Sequence, residues 1–576
     1  MCGIHAVVSR NSRFHGTAIS EKLRRCLCNR GPDHFGQVTT RLETVTTPVN
    51  LTFTSTVLAL RGDHVTKQPF QDPQTGSVLC WNGEAWRINS QPVDGNDGEA
   101  IFALLREASK KSSETGSRDP ILDVFRSIQA ITGPFAFVYF DRPSETIYFG
   151  RDRLGRRSLL ICRDESDGSF VLSSIAEACE EKWKEVDSDG VYSVVLRQDA
   201  DPDHLPLPVR HEWLPPATSE IVGEIGTGDE CVLGLARFNS DIPPEDAPAL
   251  CPDSEPVRSL QRLLSSCVKT RVMNIPKPPS TGSTPDTRVA VLFSGGLDCT
   301  VLARLCHDSL PRDQAVDLLN VAFENPRVAA QLHKDAKGAA VDVYEACPDR
   351  ITGRKAFAEL QRACPWRIFR FVAVNVPYKE TCEHRAQVIS LIYPHNTEMD
   401  LSIAYALYFA ARGQGMCYQS GDSTSEPAPY TTPARVLLSG LGADELFGGY
   451  GRHFVGYQRA GYAGLIDELK LDVSRLGKRN LGRDDRVMAH WSKEVRFPYL
   501  DEQLVLRAMK TPVWEKCDFR NSEDISGVEP GKRVLRLVAL ELGLEQVARE
   551  KKRAIQFGAR TAKMESGRVK GTMVIS

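Results

Sequence analysis

A glycine-rich segment after a short apolar run is the first feature of this sequence that could do chemistry. Residues 288–293 read as a buried strand, and residues 294–298 (Ser-Gly-Gly-Leu-Asp) follow it directly and precede a helix-like stretch. Small residues here allow backbone N–H groups to bind an anion at the start of the helix. The carboxylate of Asp298 could hold magnesium on bound phosphates. A tight turn that needs glycine for its shape alone would show the same pattern.

A second strand end repeats this arrangement. The apolar run 435–438 leads into Ser439 and Gly440, and Asp444 follows at a helix start. Strands of one open parallel sheet end at a shared crevice, the usual ligand site of such folds. Asp298 and Asp444 therefore predict a magnesium site that brackets a pyrophosphate, with two ordinary glycine-rich turns as the alternative. The chain contains no GxxxxGKS/T segment, so the lysine-containing nucleotide loop is excluded.

The N-terminus offers a different chemistry. Removal of Met1 would make Cys2 the terminal residue, and a small second residue permits that removal. The α-amino group of Cys2, with a pKa of about 8, could then act as the base for its own thiol. Taken alone, Cys2 could equally be an ordinary residue without a catalytic role.

Composition limits the partners that these residues could serve. The 576 residues include 72 basic and 74 acidic ones, which gives no support for a nucleic-acid or membrane-surface partner. No apolar run approaches the roughly 20 residues that cross a bilayer. The N-terminal apolar run is short and soon followed by charges, unlike a signal peptide. The 16 cysteines include no CxxC pair and no zinc spacing, so we expect reduced thiols in a cytoplasmic protein.

The elements that must position these residues fall into two groups, divided by a proline-rich acidic stretch at 239–256. The first group is β-rich, with predicted strands at 133–140, 145–149 and 158–162 and a helix at 97–106. The second alternates helices and strands, which is typical of a doubly wound α/β domain. Its predicted elements are helices at 257–273 and 400–412, strands at 317–323 and 435–438, and an exposed loop at 276–285.

Cys2 and the segment 294–298 together resemble the glutamine-dependent asparagine synthetase family, and the resemblance covers nearly the whole chain. It implies two domains, at 2–215 and 257–576. The first would be an αββα glutaminase of the N-terminal-nucleophile class. The second would be a doubly wound α/β domain of the PP-loop ATP pyrophosphatase type with a helical extension.

In the first domain, Cys2 resembles the nucleophile, and Asn82 and Gly83 resemble the oxyanion donors. Asn-Gly is also a common hairpin turn. Arg61 resembles the arginine that binds the glutamine carboxylate, a bidentate task suited to guanidinium, although it could also be a surface charge. The glutamine-binding residues implied by the resemblance are Arg61, Glu84 and Asp97.

In the second domain, the family uses ATP to adenylate the side chain of aspartate, and ammonia then displaces AMP. The ATP-binding residues implied are Leu292, Ser294, Gly295, Gly296, Asp298, Val321, Ser439, Gly440 and Asp444, with Mg²⁺ on Asp298 and Asp444. The resemblance thus implies small-molecule partners only, namely glutamine, ATP and aspartate. It makes no prediction about the oligomeric state.

The sequence departs from the family pattern at two informative positions. Leu441 stands where the family has a glutamate, and a leucine can neither accept a proton from ammonium nor pair with it. Alignment on Phe557 places Ala554 where the family has a lysine, with Lys552 and Arg553 adjacent. Arginine is not equivalent to lysine in such a role.

These departures leave three functions open. The first is a glutamine- and ATP-dependent amidotransferase of the asparagine synthetase type. The second is a non-catalytic homologue that binds ATP or glutamine as a sensor or scaffold. The third keeps both active sites but uses another carboxylate as the acceptor, because Leu441 makes the crevice less polar.

Overall fold

The computed structural model describes residues 2–10, 19–43, 48–115, 120–176, 183–197, 204–215, 231–278, 286–336, 341–419, 426–478, 480–521, 527–564 and 570–575. They form two compact units: Met1–Ala236 with Leu476–Ser492, and Arg237–Arg475 with Lys493–Ser576. The division near residue 236 falls between the predicted domains 2–215 and 257–576. Most of the predicted loop at 276–285, residues 279–285, lies outside the described residues.

The first unit is built from antiparallel sheets and a few helices. Its strands are β1 (Gly3–Ser9), β2 (His34–Leu42), β3 (Val49–Val57), β4 (Phe70–Gln71), β5 (Val78–Gly83), β6 (Arg87–Ile88), β7 (Gln91–Pro92), β8 (Ile131–Thr132), β9 (Phe135–Asp141), β10 (Thr146–Arg151), β11 (Leu160–Arg163), β12 (Phe170–Ser173), β13 (Lys184–Glu185), β14 (Gly190–Val195) and β15 (Val209–Glu212). Its helices begin with α1 (Glu21–Arg30), α2 (Asp97–Thr115) and α3 (Pro120–Gln129).

Two large sheets form the centre of this unit. Within the described residues, one has the strand order β13-β11-β12-β1-β3-β2 and the other β15-β14-β10-β9-β5-β4. Period-two alternation places Ile4 of β1 and Val138 of β9 in one apolar core between them. On the other face of the second sheet, Trp81 packs in a separate core with Ile101 of α2. Because α1 contacts β1 and β3, the layers run helix, sheet, sheet, helices.

The second unit is built around a mixed sheet. Its strands are β16 (Val289–Leu292), β17 (Val316–Phe323), β18 (Phe369–Val376), β19 (Gln414–Gln419), β20 (Ala428–Thr431), β21 (Val436–Leu438) and β22 (Glu494–Arg496). Their order is β20-β19-β18-β17-β16-β21-β22. The strands β18, β17, β16, β21 and β22 run parallel to one another. Strand β19 is antiparallel to β18, and β20 is antiparallel to β19.

The remaining helices follow in chain order. They are α4 (Glu255–Val272), α5 (Leu297–Ser309), α6 (Pro326–Asp335), α7 (Pro348–Ala363), α8 (Tyr378–Ile392), α9 (Glu398–Arg412), α10 (Ala443–Phe447), α11 (Gly451–Ser474), α12 (Leu481–Ala489), α13 (Glu502–Lys510), α14 (Arg533–Glu541), α15 (Glu545–Ala548) and α16 (Ile555–Gly558). Helix α11 is broken at Ala460 and Gly461. Helix α12 belongs to the first unit, a placement that the sequence pattern did not predict. None of the helices in the described ranges is long and apolar enough to cross a membrane.

Candidate functional sites

Cys2 lies immediately before β1 and is held through its backbone at both ends. Its backbone nitrogen donates to Oδ1 of Asn82 at 3.1 Å. Its carbonyl oxygen accepts from Nε of Arg30 at 3.2 Å. The thiol has a longer contact, 3.9 Å from Nε2 of Gln68. The cysteine is 9% exposed, so the first unit holds it in a fixed and nearly buried position.

Asn82 and Gly83 end β5 and pair in register with β9, opposite Ala136 and Phe135. The hairpin-turn alternative is therefore wrong, because both residues belong to a β-strand that is paired with β9. Nδ2 of Asn82 is buried and has no hydrogen-bond partner among the described residues. A buried donor next to Cys2 is what stabilisation of an oxyanion requires. A side chain at Gly83 would clash, since its Cβ would lie 2.6 Å from Cβ of Phe135.

Arg61 is an ordered side chain rather than a solvated surface charge. Nη1 donates to the carbonyl of Ala85 at 2.8 Å and Nη2 to that of Val93 at 2.5 Å. Oε2 of Glu84 lies 3.7 Å from Nη1. The side chain of Arg61 is 18% exposed. Its guanidinium, which we predict to bind glutamine, is held in place by hydrogen bonds to two backbone carbonyls.

Asp97 is the first residue of α2 and holds the segment that contains the predicted oxyanion donors. Its Oδ2 accepts from Nε1 of Trp81 and from the backbone nitrogen of Ala85, both at 2.9 Å. Gln68, which the sequence reasoning did not select, accepts from the backbone of Trp81 through Oε1 at 2.9 Å. The same side chain reaches the Cys2 thiol through Nε2, so Gln68 links Cys2 to β5.

In the second unit, the two glycine-rich segments lie at the ends of neighbouring parallel strands. Val291 of β16 is in register with Leu438 of β21. A Cβ on Gly440 would lie 2.8 Å from Cβ of Asp298, so the two loops touch. Gly295 has φ +80°, and its Cβ would lie 2.4 Å from the backbone nitrogen of Gly353. Only glycine fits this close approach of loop to helix α7.

Two lysines join the two predicted metal-binding carboxylates. Nζ of Lys532 lies 2.7 and 2.9 Å from the carboxylate oxygens of Asp298 and 2.8 Å from Oδ1 of Asp444. Nζ of Lys552 contacts Oδ2 of Asp444. Burial by itself would raise the pKa of Asp444, but Lys532 and Lys552 outweigh it and hold that pKa well below its usual value. The carboxylate is therefore ionised at neutral pH.

The positions of these carboxylates and lysines are suited to a magnesium ion with bound phosphates. A single ammonium group contacts both carboxylates, so one cation can be shared between Asp298 and Asp444. Carboxylate oxygens are the ligands that Mg²⁺ prefers. The lysines supply positive charge of the kind that binds phosphate oxygens. The described residues contain no group of three or more His, Cys, Asp or Glu suited to a metal. Mg²⁺ characteristically keeps several waters and phosphate oxygens as ligands, so two carboxylates fit it.

The other predicted ATP-binding residues line the same strand ends. Oγ of Ser294 accepts from the backbone of Gly296 at 3.3 Å, and Oγ of Ser439 accepts from that of Leu441 at the same distance. Each strand-end serine thus stabilises its own loop. Leu292 is the last residue of β16 and is half-buried, and Val321 on β17 is buried.

Position 554, where the family pattern has a lysine, lies near a different lysine in the sequence, Lys552, which contacts Asp444. Ala554 is the N-cap residue of α16 and carries no charge. The neighbouring Arg553 does not take the contact with Asp444; Nη1 lies 3.3 Å from Oγ1 of Thr352 instead. Lys532 and Lys552 were therefore the residues that sequence reasoning missed as site residues. The cluster of basic residues at 549–553 was a signal, but not one that selects a particular lysine.

Comparisons with known proteins agree with this two-part organisation. A glutamine amidotransferase domain family matches residues 56–181, and the asparagine synthase family matches residues 455–572. The chain is 33% identical to asparagine synthetase domain-containing protein 1 of Bos taurus, over 99% of this chain and 97% of that protein. The Homo sapiens protein of the same name is 32% identical over 98% and 96%.

A putative asparagine synthetase [glutamine-hydrolyzing] 1 of Methanocaldococcus jannaschii is 36% identical over 83% of this chain and 81% of its own length. The similarity to the domain-containing proteins runs through both halves of the chain. The chain therefore belongs to the asparagine synthase family, among the asparagine synthetase domain-containing proteins that carry a glutamine amidotransferase domain.

Proposed function

We propose that this protein is a glutamine-dependent, ATP-consuming amidotransferase of the asparagine synthetase type. It would convert aspartate, ATP and glutamine to asparagine, AMP, pyrophosphate and glutamate. The first unit would be a glutaminase of the N-terminal-nucleophile class, and the second a PP-loop ATP pyrophosphatase domain. The observation that carries the proposal is the cluster of Asp298, Asp444, Lys532 and Lys552 at two adjacent parallel strand ends.

The glutaminase step would begin at Cys2 after removal of Met1. Its α-amino group takes the thiol proton, and Sγ attacks the side-chain amide carbon of glutamine. Nδ2 of Asn82 and the backbone of Gly83 donate to the oxyanion that forms. The amide nitrogen leaves as ammonia with the transferred proton. Water then hydrolyses the thioester to release glutamate. The buried, unpartnered Nδ2 of Asn82 among the described residues supports this role.

The synthetase step would use the strand-end cluster. A carboxylate oxygen of aspartate attacks the α-phosphorus of ATP, and pyrophosphate leaves. Lys532 and Lys552 would bind the phosphate oxygens and stabilise the departing charge. Bound to Asp298 and Asp444, Mg²⁺ would neutralise further phosphate charge. Ammonia then attacks the acyl carbon, and AMP leaves to give asparagine.

The decisive experiment bypasses the glutaminase. Purified protein is given Mg-ATP, aspartate and ammonium, and pyrophosphate and asparagine are measured. We expect aspartate-dependent release of both. Replacing Asp298 by alanine should abolish both products, while glutamine hydrolysis by the same variant continues. A folded, ATP-binding protein that releases neither product would contradict the proposal.

A second candidate, use of a different acceptor carboxylate, is favoured by one observation. Leu441 is half-buried and its backbone bonds Ser439, so an apolar side chain stands in the loop that carries Asp444. ATP–pyrophosphate exchange with aspartate and with less polar carboxylic acids would separate the two. Leu441→Glu should raise asparagine formation if aspartate is the acceptor. If no carboxylic acid supports ATP–pyrophosphate exchange, the remaining function is a non-catalytic binding role.

A further inference from the structure

Arg30 connects the proposed nucleophile to a carboxylate from the far end of the sequence. It is the last residue of α1, and its side chain is fully buried. Nε donates to the carbonyl oxygen of Cys2 at 3.2 Å, and Nη2 donates to Oδ2 of Asp485 at 2.8 Å. Asp485 lies 455 residues after Arg30, in α12, which belongs to the first unit.

Asp485 is itself held from several sides within that unit. Oδ2 also accepts from the backbone nitrogen of Ser158 at 3.1 Å, and Nη1 of Arg157 lies 3.7 Å from Oδ1. The next residue, Arg486, donates to Oγ of Ser158 at 2.9 Å and to Oε1 of Glu185 at 2.6 Å. Asp485 is therefore fixed in place independently of Cys2.

These contacts set the direction of the Arg30 guanidinium. The group is planar, so a short charge-assisted bond at Nη2 also determines where Nε points. Nε points at the carbonyl of Cys2, while Asn82 holds the nitrogen of the same residue. With both backbone ends of Cys2 fixed, its thiol has a defined position relative to the oxyanion donor.

We propose that Asp485 is a positioning residue for the glutaminase, acting through Arg30 on the backbone of Cys2. The inference rests on the proposed role of Cys2 as nucleophile. Because Asp485 acts on the nucleophile and not on glutamine, its loss changes the rate of attack. Glutamine affinity stays nearly constant, because the proposed ligands Arg61 and Asp97 keep their own partners.

The test uses full-length Asp485→Asn and an electrophilic glutamine analogue, diazo-oxo-norleucine, which alkylates a nucleophilic cysteine. The measured quantities are the maximal labelling rate of Cys2 and the analogue concentration that gives half of it. We expect the maximal rate to fall about tenfold or more, since small misplacements of a reacting group cost at least that much. The half-saturating concentration should change less than about twofold.

Two further variants separate positioning from general damage. Asp484→Asn makes the same change one residue away, at a buried aspartate that pairs with Arg483 at 2.8 Å, and should label like the wild type. Asp485→Glu keeps the charge and should recover part of the rate. Ammonium-dependent pyrophosphate release by each preparation reports whether the protein is intact.

The outcomes distinguish this inference from the proposed function. Wild-type protein that is not labelled at Cys2 would contradict the glutaminase itself. Equal maximal rates in wild type and Asp485→Asn, or equal losses in Asp484→Asn and Asp485→Asn, would overturn the positioning role alone. If Asp485→Asn does not fold, Arg30→Lys keeps a positive charge facing Asp485 but removes the Nε donor. The same loss of rate would support the proposal, and an unchanged rate would overturn it.

Discussion

The backbone of Cys2 is held by the neutral amide of Asn82 and by the guanidinium of Arg30, whereas the carboxylates of Asp298 and Asp444 contact the ammonium groups of lysines. The charged pair of Arg30 with Asp485 is fully buried, and Nε of Arg30 donates to the carbonyl oxygen of Cys2. In the second unit the charges themselves form the site. The candidate site at Cys2 is therefore defined by the fixed position of a backbone. The candidate site at Asp298 and Asp444 is defined by opposite charges that balance one another.

This difference determines what each site must do when its substrate binds. The contacts of Cys2 can persist, since none of its backbone bonds needs to break for the thiol to react. The lysines of the second unit neutralise carboxylates that, on our proposal, would hold magnesium. Entry of Mg-ATP would exchange the lysine–carboxylate contacts for lysine–phosphate and carboxylate–metal contacts. Substitutions should therefore act on reaction geometry in the first unit and on charge balance in the second.

The largest effect is expected for Cys2→Ala. Loss of the attacking sulfur should lower glutamine hydrolysis by about 10⁴-fold or more, since removing a catalytic nucleophile has effects of this size or larger. Ammonium-dependent pyrophosphate release should remain within about twofold of wild type. Measuring both activities in one preparation, with removal of Met1 checked by mass spectrometry of the wild type, tests the separation. A parallel loss of both activities would show that the two sites are not chemically independent.

Asp444→Asn should have the next largest effect, confined to the second unit. It removes the charge that balances Lys552 and part of Lys532, and with it one carboxylate for magnesium. Loss of one such electrostatic contact typically costs 10²–10³ in rate, so pyrophosphate release should fall by about that factor. The exposed Asp467→Asn is the matched control. Comparable activity of Asp444→Asn and the control would remove this carboxylate from the proposed mechanism.

Lys552→Ala tests the contribution of a single cation to the site in the second unit. Lys552 is one-third exposed and contacts Asp444, whereas its neighbour Lys551 is 84% exposed. Burial lowers the pKa of Lys552, but the nearby Asp444 and Asp298 raise it above its usual value, so the ammonium is charged at neutral pH. We expect the rate of pyrophosphate release to fall about tenfold in Lys552→Ala and to stay unchanged in Lys551→Ala. Equal rates in the two variants would show that Lys552 does not take the role of the lysine that the family has at the position of Ala554.

Much of this arrangement was predictable from local pattern. The alternation of helices and strands predicted a parallel sheet with both glycine-rich segments at its carboxyl ends, and β16 and β21 do lie side by side. Parallel strands end at the same edge, so Asp298 and Asp444 could be expected near each other. The strand predicted at 158–162 begins later, at Leu160, because Ser158 instead bonds with Asp485 and Ser174.

The residues that were not predicted meet their partners over long sequence distances. Lys552 reaches a carboxylate 108 residues away, and Lys532 one 234 residues away. A lone lysine has no periodicity or spacing that reveals such a partner, so only the path of the chain brings the charges together. The placement of α12 in the first unit is the same kind of fact, because its four consecutive charged residues at 483–486 are typical of an exposed helix although all of them are buried.

At His5, a neutral buried group in the first unit, the expected effect is on stability and not on a rate. Its Nδ1 is buried without a hydrogen-bond partner in the described part of the chain, and burial lowers its pKa to about 4. Between pH 6.5 and 4 the unfolded chain binds a proton that the folded chain does not. The free energy of unfolding therefore falls as pH falls, by about 2 kcal/mol at pH 5 relative to pH 7.5.

In His5→Leu this dependence should be weaker by that amount, because leucine does not titrate. Urea unfolding followed by tryptophan fluorescence at pH 7.5 and 5.0 measures it, with the exposed His64→Gln as the control. The same acid sensitivity in His5→Leu and wild type would assign it to other groups. A selective loss in His5→Leu would show that the stability of β1, three residues from the proposed nucleophile Cys2, depends on an uncharged side chain. The strand-end site of the second unit depends instead on paired charges.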